Sequence, residues 1–145
     1  MTTMNINIDD FRKFISAEGS LRLDSALHGA TMQIANEWMA KAAARTPVVS
    51  SQMRMSWHVE DKGQSGDTHE ARVYNSAVGE KGAPYPIYVE FGHRQRVGRF
   101  VPKLGKRLVK PWVNGQFMLT NSREEMVNRV PKVIEAHIKR AWEEL

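Results

Sequence analysis

The chain has 145 residues, enough for one ordinary domain, and a net charge of +5 at pH 7 that is unevenly distributed along it. It contains no cysteine, which excludes disulfides and thiolate metal sites, and no apolar run approaches the roughly 20 residues that a bilayer span needs. The opening MTTMNINIDDFRKF lacks both the basic and the apolar regions of a signal peptide, so the sequence reads as a soluble protein of a reducing, intracellular compartment.

In chain order, residues 8–18 (IDDFRKFISAE) suggest a short helix with Asp9 or Asp10 near its N-terminus, interrupted by Gly19 and Ser20, within an N-terminal helical segment 8–22. A second, longer helix is expected from Asp24 to Arg45, where Leu27, Thr31, Ile34, Trp38 and Ala42 recur at three- and four-residue spacings. Alanines crowd its end, which invites close approach of another backbone, and Thr46-Pro47 stops it. Residues 51–61 alternate, with Met53, Met55, Trp57 and Val59 on one side, and predict a strand. KGQSGD is a turn, and THEARVYNSAV (68–78) is the returning strand, with Ala71 and Val73 facing inward. After a second turn, APYPIYVEF reads as a third strand, with Tyr85, Ile87, Val89 and Phe91 on one face and Tyr88 and Glu90 on the other. Ser122 and Glu125 have the spacing of a capping box before the last helix. Pro131 either kinks that helix or opens a second one in its first turn. The expected architecture is α+β: a single domain, 1–145, with an antiparallel three-stranded meander packed against a long N-terminal helix and a C-terminal helix.

Between the third strand and the last helix lies the most unusual segment. Arg94, Arg96, Arg99, Lys103, Lys106, Arg107 and Lys110 follow His93 with no acid among them. Those seven cations exceed the overall +5, so the remainder of the chain sums to −2 and the basicity belongs to one arm, residues 93–111. Phe100, Leu104, Leu108, Val109 and Trp112 are interleaved with the charges. A solvated loop needs no such side chains, so a partner-facing role is expected for it. It reads as a long loop without structure of its own.

No catalytic or cofactor signature stands out. His28, His58, His69, His93 and His137 are scattered without metal-ligand spacing. His137 is read as a packing residue, and the polar set His58, Glu60, His69 and Glu70 as solvated strand faces. The glycines of GQSG and GEKG lack the helix and lysine of a phosphate loop. Glu90 has no acid or base beside it to work with, only arginines downstream, and is expected to pair with an arginine of the arm, its own (Arg94 or Arg96) or a neighbouring subunit's.

The segments TPVVSSQMRMSWHV, APYPIYVEFGHR and WVNGQFML, with the closing VPKVIEAHIKRAWEEL, resemble in this order the gene-product-ten-like family of neck and tail-completion proteins of long-tailed phages and prophages. The resemblance covers roughly residues 24–145 and is carried by Tyr88, Val89, Glu90, Phe91, Gly92, His93 and Arg94, then by Thr46, Pro47, Val48, Arg54, Ser56 and Trp57. VVSSQM departs from the aspartate–threonine–glycine turn usual there. The resemblance implies a non-enzymatic virion protein without cofactor or metal, forming rings of six or twelve at the head–tail interface. Its implied partners are a connector or head-closure protein and a tail terminator or tail tube protein, with possible contact to genomic DNA in the channel and none to a membrane. The interface candidates are Tyr88, Glu90, Phe91, His93, Arg94, Arg96, Arg99, Phe100, Lys103, Lys106, Arg107, Lys110 and Trp112. The alternative is a small nucleic-acid-binding module using residues 93–110.

Overall fold

Helix α1, Ala17–Ala44, is the spine of the molecule, about 42 Å long at 1.5 Å per residue. The computed structural model describes residues 17–47, 51–66, 68–79, 82, 85–102 and 104–144. Most of the expected first helix, residues 8–16, lies outside them. The expected interruption at Gly19 and Ser20 is not there: α1 runs straight through both. A helical glycine costs about 1 kcal/mol relative to alanine, and Gly19 sits buried where tertiary packing offsets that cost. Ala30, Ala35 and Ala42 are buried along the same helix, the close approach that its alanines predict.

After Thr46 the chain makes one helical turn, α2 (Ser51–Met55), before strand β1 (Trp57–Ser65), so the strand expected from residue 51 starts six residues late. Met53 and Trp57, four apart, both reach the core, while Met55 is 79% exposed. The alternating pattern had put all three on one face. Trp57 donates its indole N–H to Thr46 Oγ1 at 2.8 Å, and Thr46 donates its hydroxyl to the Ala42 carbonyl at 2.8 Å. The threonine and tryptophan of the resemblance thus tie the end of α1 to the start of the sheet. β1 pairs antiparallel with β2 (Thr68–Asn75), and α1 packs across both strands.

His28 of α1 donates to Asp61 of β1 at 2.6 Å. This bond, and after it the Gly63 amide, hold the Asp61 carboxyl below the ordinary aspartate value. The stability contributed is therefore fully present above the ordinary aspartate pKa of about 3.9 and is lost as pH falls through the lowered value. Asp61→Asn should flatten the dependence of Tm on pH below about pH 4; an unchanged acid limb in thermal melts would refute the coupling.

The third strand of the meander does not exist. Residues Pro86–Phe91 form a short helix, α3, with proline in its first turn. Tyr85 and Val89 pack against the core, and Ile87 and Phe91, expected beside them, are more than half exposed. The sheet is a two-stranded hairpin, and the remaining strands form separate ribbons. Helix α4 spans Met118–Val127 and helix α5 spans Val130–Glu143, so the last helical region is two helices, with Pro131 in the first turn of the second. Ser122 and Glu125 lie inside α4 and make no capping box. The Ser122 hydroxyl donates back to the Met118 carbonyl at 2.5 Å and accepts from Trp38 Nε1 at 3.1 Å. Glu125 pairs with Lys41 and Arg45 of α1. α5 packs on α1, with His137 bonded to Gln33 at 2.6 Å against Gly29, the packing role expected of it. The core gathers Ala42, Met53, Trp57, Ala77 and Met118 between α1, the hairpin and the start of α4.

Candidate assembly interface: a basic arm and its root

The segment read as an unstructured loop is a β-hairpin that leaves the body at Gly92 and returns at Asn114. β3 (Gly92–Arg94) pairs with β6 (Trp112–Asn114), and β4 (Phe100–Val101) pairs with β5 (Lys106–Arg107). Between the two ribbons the ladder is continued by Gln95 N–H to the Pro111 carbonyl at 3.0 Å and Gly98 N–H to the Leu108 carbonyl at 2.7 Å. The Leu108 N–H then bonds Arg99 rather than Gly98, at 2.8 Å. Gly98 and Arg99 thus stand opposite one residue, with Gly98 at φ 86°, a glycine bulge that bends and twists the arm midway. At about 3.3 Å per residue, the hairpin is long enough to reach on the order of 30 Å from its root.

The arm's side chains are largely in solvent. Arg94, Arg96, Arg99, Lys106, Arg107 and Lys110 are exposed. Val97, Phe100, Leu104 and Val109 are each more than half exposed. Pairing places Arg94 opposite Trp112 and Phe100 opposite Arg107, and the Arg107 guanidinium donates to the Gly98 carbonyl at 2.9 Å. His93 and Val113 occupy the other face of the proximal ribbon, where the Tyr88 ring meets His93 edge-on at 6.0 Å. Lys103 lies outside the described residues.

Glu90 is not part of this exposed set. It is buried, and its carboxylate accepts from the Leu119 N–H at 3.0 Å, the Thr120 N–H at 2.9 Å and the Thr120 hydroxyl at 2.9 Å. Among the described residues it makes no ion pair with Arg94 or Arg96, which corrects the expected pairing with the chain's own arm. The reason lies at the start of α4. Phe117, the residue before the helix, is left-handed (φ 48°) and offers no side-chain cap. The free amides of the first turn are satisfied by an acid from 30 residues upstream, where negative charge also suits the helix dipole.

Around this cap the two ends of the arm cross at contact distance. Gln116 N–H bonds the Val89 carbonyl at 2.7 Å and Phe117 N–H bonds the Glu90 carbonyl at 3.0 Å. Gly92, at φ 82°, and Gly115 lie against each other's backbone. Ile87, Tyr88, Phe91, Trp112, Val113 and Phe117 form an exposed apolar collar at the root, with the Phe91 and Phe117 rings edge-to-face at 6.3 Å. Of the predicted interface residues, the structure brings Tyr88, Phe91, His93, Arg94 and Trp112 together at the root, buries Glu90 against the start of α4 and sends the remaining described ones up the arm. Sequence reasoning missed Gly115, Phe117, Leu119 and Thr120. Only the Asn-Gly pair at 114–115 was a local signal of a special backbone position.

Among the described residues the other polar groups pair locally. His58 bonds Ser76, Glu60 pairs with Lys62, and His69 is buried 3.7 Å from Asp24. Among the described residues no group of three or more His, Asp or Glu is placed to hold a metal, and no helix is long and apolar enough to cross a membrane.

A small α+β body that presents a charged arm from a fixed root is the form of an assembly module. The family described as "Bacteriophage HK97-gp10, putative tail-component" matches residues 9–92, more than half of the chain, and the protein belongs to this family of structural components of the phage tail, which places it in the virion. The match starts before residue 24 and ends at Gly92, where the arm begins, whereas the motif resemblance extends to residue 145. No curated protein and no solved structure matches the chain.

Proposed function

We propose that the protein is a ring-forming component of the neck, joining or completing the tail at the head–tail interface, in rings of six or twelve copies. The observation that carries this reading is the apolar collar around the arm's root: six large exposed side chains, held by a capped helix and a backbone crossing, make a contact surface rather than a flexible fringe. A heterologous contact of this kind, repeated around an axis, closes into a ring. Adjoining partners in this reading are a connector or head-closure ring on one side and a tail terminator or tail tube on the other. A free-standing nucleic-acid-binding module would use the same arm, but it gives the collar nothing to do, and membership in a tail-component family favours the virion role.

The test is assembly. Ile87→Asp with Phe91→Asp alters two positions more than half exposed and should leave the isolated chain folded, at a cost of about 1–2 kcal/mol that includes the Phe91–Phe117 ring contact. In the phage it should yield filled heads and finished tails that do not join, seen by electron microscopy. Particles carrying a single copy away from the tail axis, or normal joining with both substitutions, would overturn the proposal.

A further inference from the structure

We propose that the distal arm is a duplex-DNA contact that grips phosphates without reading sequence. Its placement around DNA in the neck channel rests on the ring reading above; its binding chemistry does not.

The first support is the charge pattern. No Asp or Glu occurs between Glu90 and Glu124, and among the described residues none of the arm's cations is in an ion pair. Six exposed cations on one hairpin repel each other and favour a polyanion.

The second support is what a second copy of the chain has to offer. Several of the body's acids are already occupied, although others, Glu70 and Glu135 among them, are exposed or half-buried on its surface. Glu37 pairs with Arg129 at 3.1 Å, Glu60 with Lys62 at 3.1 Å, and Asp61 with His28 at 2.6 Å. Glu125 serves Lys41 and Arg45, and Glu90 is buried on α4. The rest of the chain sums to −2 against +7 on the arm, so a neighbouring body leaves most of the arm's charge unanswered, while the collar supplies the contact between copies. The arm's charge has to be answered from outside the ring.

The third support is shape. A two-stranded ribbon fits the major groove of B-DNA, which is about 12 Å wide. Two cross-strand positions, Trp112 opposite Arg94 and Phe100 opposite Arg107, put an aromatic and an arginine at the same level of the ribbon at two heights along the arm, Arg107 keeping further N–H donors beyond its bond to the Gly98 carbonyl. The midway bulge lets one hairpin follow a curved groove instead of projecting as a flat blade.

The experiment uses the full chain and a fluorescein-labelled 30-base-pair duplex, with anisotropy titrations from 50 to 200 mM NaCl. Contact through about four phosphates predicts a loss of affinity of about 100-fold over that range. The variant carrying Arg94→Gln, Arg96→Gln, Lys106→Gln and Arg107→Gln should flatten the slope by about one unit per lost contact, on any duplex sequence. Lys132→Gln with Lys139→Gln, on α5, should change nothing. A salt response under ten-fold, or an arm variant that binds as the parent does, overturns the proposal. So does an arm variant whose DNA affinity is intact but whose particles fail to join, since the arm would then dock on protein. Ring closure is scored separately by native mass spectrometry on the same proteins. A chain that binds DNA through its arm but never closes a ring refutes only the ring reading. A ring whose DNA affinity ignores the four substitutions refutes only the DNA contact.

Discussion

Gly92→Ala should destabilise the protein by about 3 kcal/mol or more, among the largest single-residue effects expected outside the core, and Gly115→Ala by about 1–3 kcal/mol. Gly92 has φ 82° and ψ 172°, a region open essentially to glycine alone, where an alanine is strained by roughly 1–3 kcal/mol. An added Cβ there would also collide with the Val113 carbonyl and stand 2.9 Å from the Gly115 amide nitrogen, both rigid backbone groups. At Gly115 the Cβ would strike the Glu90 carbonyl and lie 2.7 Å from the Phe91 carbonyl carbon. Neither clash can be relieved by a rotamer change, and forced backbone shifts add about 1–3 kcal/mol. Gly105, at the tip with φ 62° and open space around it, is the internal control: its alanine variant carries the conformational cost alone, about 1–2 kcal/mol. Urea unfolding of the three variants checks the ranking. Equal losses for Gly92 and Gly105 would show that the crossing contributes nothing.

Glu90→Ala should cost roughly 2–4 kcal/mol, because it leaves two amides and a hydroxyl at the start of α4 without their acceptor, at a position only 5% exposed. Glu90→Gln keeps one carbonyl oxygen but sets an NH2 group against an N–H donor, so a loss of about half that size is expected. Double-mutant cycles separate this cap from an arm ion pair. Coupling between Glu90 and Thr120 should be clear, about 1 kcal/mol, and coupling between Glu90 and Arg94 should be absent. The reverse result would return Glu90 to the arm.

These two sites mark where the sequence was readable and where it was not. The spacing of Leu27, Thr31, Ile34, Trp38 and Ala42 announced the long helix because 3.6-residue periodicity over many turns has no competitor. The β1–β2 pair and the packing role of His137 were legible for similar local reasons, and Pro131 marked a break whose form, a kink or a new helix, the sequence left open. Residues 85–91 were not. In so short a run, Tyr85 and Val89 satisfy both an alternating and a helical pattern, and packing of those two against the core decided for the helix. Met53 and Trp57 posed the same ambiguity, resolved in the same way. The charge of the arm was plain from composition, but its folding into a ribbon depended on glycines and carbonyls whose partners lie ten to twenty residues away. The role of Glu90 was the least accessible. Nothing near it in sequence indicates that a helix 30 residues downstream would begin at a left-handed phenylalanine and need a foreign carboxylate.

The crossing at the arm's root also governs how freely this protein can vary. Everything from His93 to Val113 hangs from a neck two strands wide, sealed by the bonds of Gln116 and Phe117 to residues 89 and 90. Such a segment behaves as a cassette. Doubling the length of a flexible insertion adds only about 0.6 kcal/mol of closure entropy. A longer, shorter or differently charged arm can be exchanged between lineages or by design, while the joint that carries it and the helices beneath stay as they are.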